Sequence, residues 1–213
     1  MKRFVLILIA FLSFLNSYSQ NNSPEQLYLI VNEYTAKLKS KNIDTICIYR
    51  DYYRGIQGKS DYGEPCTYED IFIPTYIFWK EKNKTYVTQK DNCFDFETFE
   101  IQNDDFWNII FKNIKIIIKE ENKRFELINQ KSKEKLHRSV SHSHFRRFEL
   151  FLNNYTCEKS FDDFDLIEYD HDNLNLNYKY NNLLKSKLLI DELEKIVNEL
   201  KSKNLFINKI KRL

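Results

Sequence analysis

The sequence predicts an α+β domain: a small antiparallel sheet, centred on a hairpin over residues 70–92, with an N-terminal and a C-terminal amphipathic helix packed on it. Three stretches carry that prediction. Ile71 to Trp79 is rich in β-branched and aromatic residues on both alternating faces, as in a strand covered on two sides. A polar turn follows at Lys80 to Lys84, and Thr85 to Lys90 alternates again. The helices flank this hairpin in the sequence. Ser23 can cap a helix that has Pro24 at its first position and Gln26 completing a capping box. Leu27, Ile30, Val31, Tyr34 and Leu38 then share one face, which predicts a helix from Pro24 to about Ser40. Near the other end Leu189, Leu193, Ile196 and Leu200 step by four, three and four, a narrow apolar stripe over residues 182–203.

The remaining elements are read in order. Thr45 to Tyr49 is the first strand. Arg50 to Thr67 reads as the longest loop and holds all three glycines, Gly55, Gly58 and Gly63. With so few glycines, most turns must use Asn and Asp, which tolerate positive φ next best. Phe94 to Ile101 alternates as a short strand. Asn103 or Asp104 can cap a helix through Phe106, Trp107, Ile110, Phe111 and Ile114, while the β-branched run to Ile118 suits a strand equally well. Residues 120–139 are charged and read as a solvated arm. Val140 to Leu152 alternates as a strand, and residues 161–182 are acidic and Asn-rich with no period.

The first nineteen residues read as a secretory signal peptide. Lys2 and Arg3 precede an apolar run from Phe4 to Leu15, too short for an ordinary transmembrane helix, and Ser17 and Ser19 suit cleavage before Gln20. Residues 20–213 then form a single α+β domain, secreted or periplasmic, with no membrane attachment after cleavage. Losing residues 1–19 takes two of the 33 basic residues and none of the 31 acidic ones. The mature chain is formally neutral, which argues against bulk capture of nucleic acid.

Four cysteines in an exported chain point to disulfides. The hairpin register favours Cys66–Cys93, which leaves Cys47–Cys157; Cys47–Cys66 is the rival pairing. No CxxC supports a redox motif or zinc knuckle.

The glycine spacing fits neither a Walker loop nor a dinucleotide fingerprint, and the chain lacks GxSxG and HExxH. No cofactor is implied. Asp170-His171-Asp172-Asn173 fails as a calcium loop at Leu174, Asn175 and Asn181. In a strand, His142 and His144 would share a face with Arg146 beside them, and Asp170, His171 and Asp172 could add metal ligands. A solvated polar face explains the histidines more simply, because zinc sites need three or four protein ligands. Tyr49, Tyr52, Tyr53, Tyr62 and Tyr68, with Arg50 and Arg54, flank the glycine loop. Of these, Arg50, Tyr52, Tyr53, Arg54 and Tyr62 are the candidate binding residues, placed to stack on a sugar or hold an extended ligand. The favoured reading is a non-catalytic domain that binds a glycan or protein ligand. The alternative is a metal-dependent or His-based hydrolase centred on His142 and His144.

Overall fold

A computed structural model describes residues 24–54, 73–91, 94–206 and 209–211. Helix α1 (Pro24–Ser40) leads into strand β1 (Thr45–Arg54), followed by the hairpin of β2 (Thr75–Glu81) and β3 (Lys84–Lys90). Two short strands, β4 (Phe94–Phe96) and β5 (Phe99–Ile101), precede helix α2 (Asp105–Lys119). A separate hairpin of β6 (Glu126–Ile128) and β7 (Lys135–His137) comes next, then the long pair β8 (Ser143–Leu152) and β9 (Tyr155–Asp162). The chain continues through a 3-10 turn (Asp163–Leu166), the two-residue strands β10 (Tyr169–Asp170) and β11 (Asn173–Leu174), the short helix α3 (Tyr178–Asn182), helix α4 (Lys185–Ser202) and strand β12 (Lys209–Lys211).

The main sheet runs β12-β4-β3-β2-β1-β8-β9, with β5 also paired to β3, and every pairing is antiparallel. The small sheet with two helices expected from the sequence is therefore corrected. This sheet is large, two two-stranded sheets accompany it, and three long helices cover both of its faces. The expected hairpin lies inside it, with Trp79 opposite Tyr86 and Glu81 opposite Lys84; residues 70–72 and 92 lie outside the described ones.

Strand alternation distributes the core. Ile46, Ile48, Ile77 and Trp79 face Leu27, Val31 and Leu38 of α1. The intervening Cys47, Tyr49, Tyr76 and Phe78 face the opposite layer, where α2 contributes Phe106, Trp107, Ile110 and Ile117 and α4 contributes Leu189, Leu193, Ile196 and Leu200. Burial of each large side chain contributes about 1.5–3 kcal/mol, so both faces anchor the sheet. The isoleucine run of α2 resolves as helix because positions 106, 110 and 117 make one buried stripe. Glu120, just past α2, accepts from the Lys185 and Ser186 backbone N–H groups at 2.7 and 2.8 Å. It thereby satisfies two donors that the first turn of α4 leaves open and ties the two helices together.

Cys47 and Cys157 are free, which corrects the expected Cys47–Cys157 bridge. Both are aligned with Leu150, so β8 lies between them. Two strand spacings separate their Cα atoms by about 9.5 Å, beyond the ~7 Å reach of a disulfide. Cys66 and Cys93 lie outside the described residues.

Candidate functional site

Strands β1 and β8 pair along all ten residues of each, from Thr45 opposite Leu152 to Arg54 opposite Ser143. The ends of these strands are polar, and alternation sends their side chains to two different faces. Arg50, Tyr52 and Arg54 project on the α1 side. Asp51 and Tyr53 project on the α2/α4 side, and His144 and Arg146 of β8 join them there. The aromatic pairs follow this split. Tyr52 stacks on Phe145 at 5.8 Å, and Tyr53 stacks on His144 at 4.5 Å.

On the α2/α4 side the polar residues form a charged cluster. His144 is held between two carboxylates, with Nδ1 bonded to Asp163 at 2.7 Å and Nε2 bonded to Asp51. These hydrogen bonds, Asp163 first and Asp51 second, push its pKa up to about 9 against the effect of burial. His144 is therefore an imidazolium at neutral pH, with both nitrogens donating. Burial works to raise the Asp163 carboxyl, but His144 and Arg146 hold it below its ordinary value. The buried Arg146 bonds to Asp163 at 2.6 Å, to Asp191 at 3.0 Å and to Glu194 at 2.6 Å. The cluster thus joins β1, β8, the 3-10 turn and α4. A histidine with both nitrogens occupied and its charge fixed has no lone pair to abstract a proton.

The α1 side is different. There the segment following α2 and the segment preceding β8 enclose a groove of about 550 Å³ against β1, β8 and β9. Arg54, Arg124 and Arg138 line it, with Phe145, Asp162 and Asp165. Arg138 is paired with Asp170. The exposed Arg54 and Arg124 make no side-chain hydrogen bond or ion pair among the described residues. Asp162 receives the Ser143 hydroxyl and the Phe164 N–H on one oxygen, leaving the other without a partner among the described residues. Asp165 accepts the Phe125 N–H at 2.7 Å, and burial pushes its carboxyl up.

Two buried asparagines fix the groove wall. Asn181 Nδ2 donates to the Lys123 and Asp165 carbonyls at 2.7 and 2.9 Å, while its Oδ1 accepts the Lys123 N–H at 3.0 Å. Asn175 Nδ2 donates to the Asp165 and Ile167 carbonyls at 2.9 and 3.1 Å. The segment without periodicity in the sequence is thus ordered by amides that replace regular ladder bonds. A smaller concavity of about 140 Å³ lies on the same face beside Leu27, Arg50, Tyr52 and Arg147. There Arg50 pairs with the buried Glu149, which Arg147 also approaches at 3.1 Å.

The residues singled out in the sequence are therefore divided. Arg50, Tyr52 and Arg54 share one face, Tyr53 lies on the other, and Tyr62 lies outside the described residues. His142 precedes β8, is exposed and contacts the Ser141 hydroxyl at 2.8 Å, so it is not in strand register with His144. Asp170 is engaged by Arg138, while His171 and Asp172 are exposed. Among the described residues no three His, Cys, Asp or Glu side chains are grouped to hold a metal ion. Sequence reasoning missed Asp51, Arg124, Arg138 and Asp163. For Asp51 the signal was present: it continues the Cys47, Tyr49 alternation and so shares a face with them. Compared with known protein families, with curated proteins and with solved structures, the chain finds no match in any of the three.

Proposed function

We propose that this chain is an exported, non-catalytic binding protein that takes an anionic ligand in the groove beside β1, β8 and β9. The observation that carries the reading is the convergence of Arg54, Arg124 and Arg138 on one cavity of about 550 Å³. That volume is in the usual range for small-ligand sites. Two of these guanidiniums, Arg54 and Arg124, form no ion pair among the described residues, and a guanidinium suits the two-bond geometry of a carboxylate or phosphate. The hydrolase alternative draws no support from the geometry, because His144 is held protonated between Asp51 and Asp163 and His142 is remote from that cluster's hydrogen bonds.

The test is thermal unfolding of the full chain with glucuronate, citrate, sulfate and inorganic phosphate, against sodium chloride of equal ionic strength. At least one anion is expected to raise Tm in a saturable way, since a ligand at a hundred times its Kd stabilises by about 2.7 kcal/mol. The Arg54→Ala/Arg124→Ala variant is expected to lose that response while keeping its own melting transition, because both side chains are exposed. Equal responses in wild type and variant, or none with any anion, would remove the groove as an anion site.

A further inference from the structure

Resting on that reading of the groove, we propose that its ligand is an acidic sugar: a polyhydroxylated carboxylate of the uronic acid class, free or within a glycan. The groove carries both signs of charge. Arg54, Arg124 and Arg138 stand with Asp162 and Asp165 around the same space. A compact inorganic anion would use the arginines and be repelled by the carboxylates, since a like charge at 4 Å costs several kcal/mol at an effective dielectric near 20. A densely charged polyphosphate would meet the same repulsion repeatedly.

A sugar acid satisfies both halves. Its carboxylate accepts from the guanidiniums in the planar, two-bond geometry that arginine favours. Its hydroxyls donate to carboxylate oxygens, and Asp162 has one oxygen with no partner among the described residues. Phe145, stacked on Tyr52, adds an aromatic ring to the lining, against which the C–H face of a sugar ring packs. Ser160 on β9 supplies a hydroxyl that both donates and accepts. The arrangement therefore asks for a ligand with a single localised charge and several hydroxyl donors.

The test is isothermal titration of the full chain with three probes. These are the uronate monosaccharides glucuronate, galacturonate and mannuronate, the corresponding neutral hexoses, and inorganic phosphate. At least one uronate is expected to bind, with its neutral counterpart at least tenfold weaker. Arg124→Ala is expected to weaken uronate binding at least tenfold. Asp162→Asn is expected to weaken uronate binding about fivefold while leaving phosphate binding unchanged or tighter. Asn serves as well as Asp at a helix start, so this variant keeps the turn that Asp162 caps. If phosphate binds as tightly as every uronate, or Asp162→Asn leaves uronate affinity unchanged, the sugar-acid assignment is wrong and the anion groove stands. If neither phosphate nor any uronate binds, both fall.

Discussion

Between Asp51 and Asp163 the His144 ring has no free nitrogen, and both neighbours favour its protonated form. Its folded pKa of about 9 lies above the ordinary value of 6.5. The resulting stabilisation is complete below pH 6.5 and is lost as the pH rises towards 9. A shift of that size corresponds to about 3 kcal/mol by linkage, which solvent screening of a partly exposed ring reduces to about 1–2 kcal/mol. Urea unfolding at pH 6 and pH 9 is expected to show that loss in the wild type, and His144→Gln is expected to shrink the difference to the smaller part that the Cys47 and Cys157 thiols contribute. Equal pH dependence in wild type and variant would show that His144 is not the titrating group. The histidine was legible in the sequence, but its partners were not. Asp51 lies 93 residues away and reaches His144 only through the β1–β8 register.

Among the elements, those with an apolar period were legible and those with a polar face were not. The helices α1 and α4 follow their apolar stripes, and β2 and β3 follow their alternation. Strand β1 runs on through Arg50–Arg54, which read as loop because its outer residues are charged. Strand β9 forms the sheet edge and exposes every second residue over most of its length, so its sequence reads as polar. Residues 126–137 resemble a solvated arm, yet they form a hairpin whose backbone pairs without an apolar face. Turn chemistry was legible only in part. Of six described non-glycine residues with positive φ, three are Asn, none is Asp, and Lys82 and Lys133 are among the rest. Lys82, at φ 56°, is the first of two residues linking β2 to β3. Glycine is favoured in that position, so Lys82→Gly is expected to stabilise the protein by about 0.5–1 kcal/mol. A denaturant midpoint that falls in this variant would show that the lysine side chain makes an unrecognised contribution.

At the scale of the molecule, one antiparallel sheet separates two chemically different layers. The α1 face carries the groove and the α2/α4 face carries the larger apolar core and the His144 cluster. Composition pointed to a domain of mixed helix and sheet, but the number of strands depends on pairings between distant segments. The thiols test this layering. Cys47 is buried with its pKa pushed well up by burial, whereas Cys157 sits half-buried near the sheet edge. An alkylating reagent is expected to modify Cys157 in the native protein and Cys47 only on unfolding, read by peptide mass spectrometry. Prompt labelling of Cys47, or a Cys47–Cys157 crosslink in native material, would contradict the strand order.

Asp162 and Asp163 are consecutive in the chain yet serve opposite sides of the sheet: one lines the groove and the other holds His144. The same holds for Phe145, placed between His144 and Arg146 on β8. A ligand bound in the groove would contact residues whose immediate chain neighbours carry the buried charges. The imidazole ring protons of His144 become a built-in spectroscopic probe of occupancy, readable by NMR without a label and from the far side of the sheet.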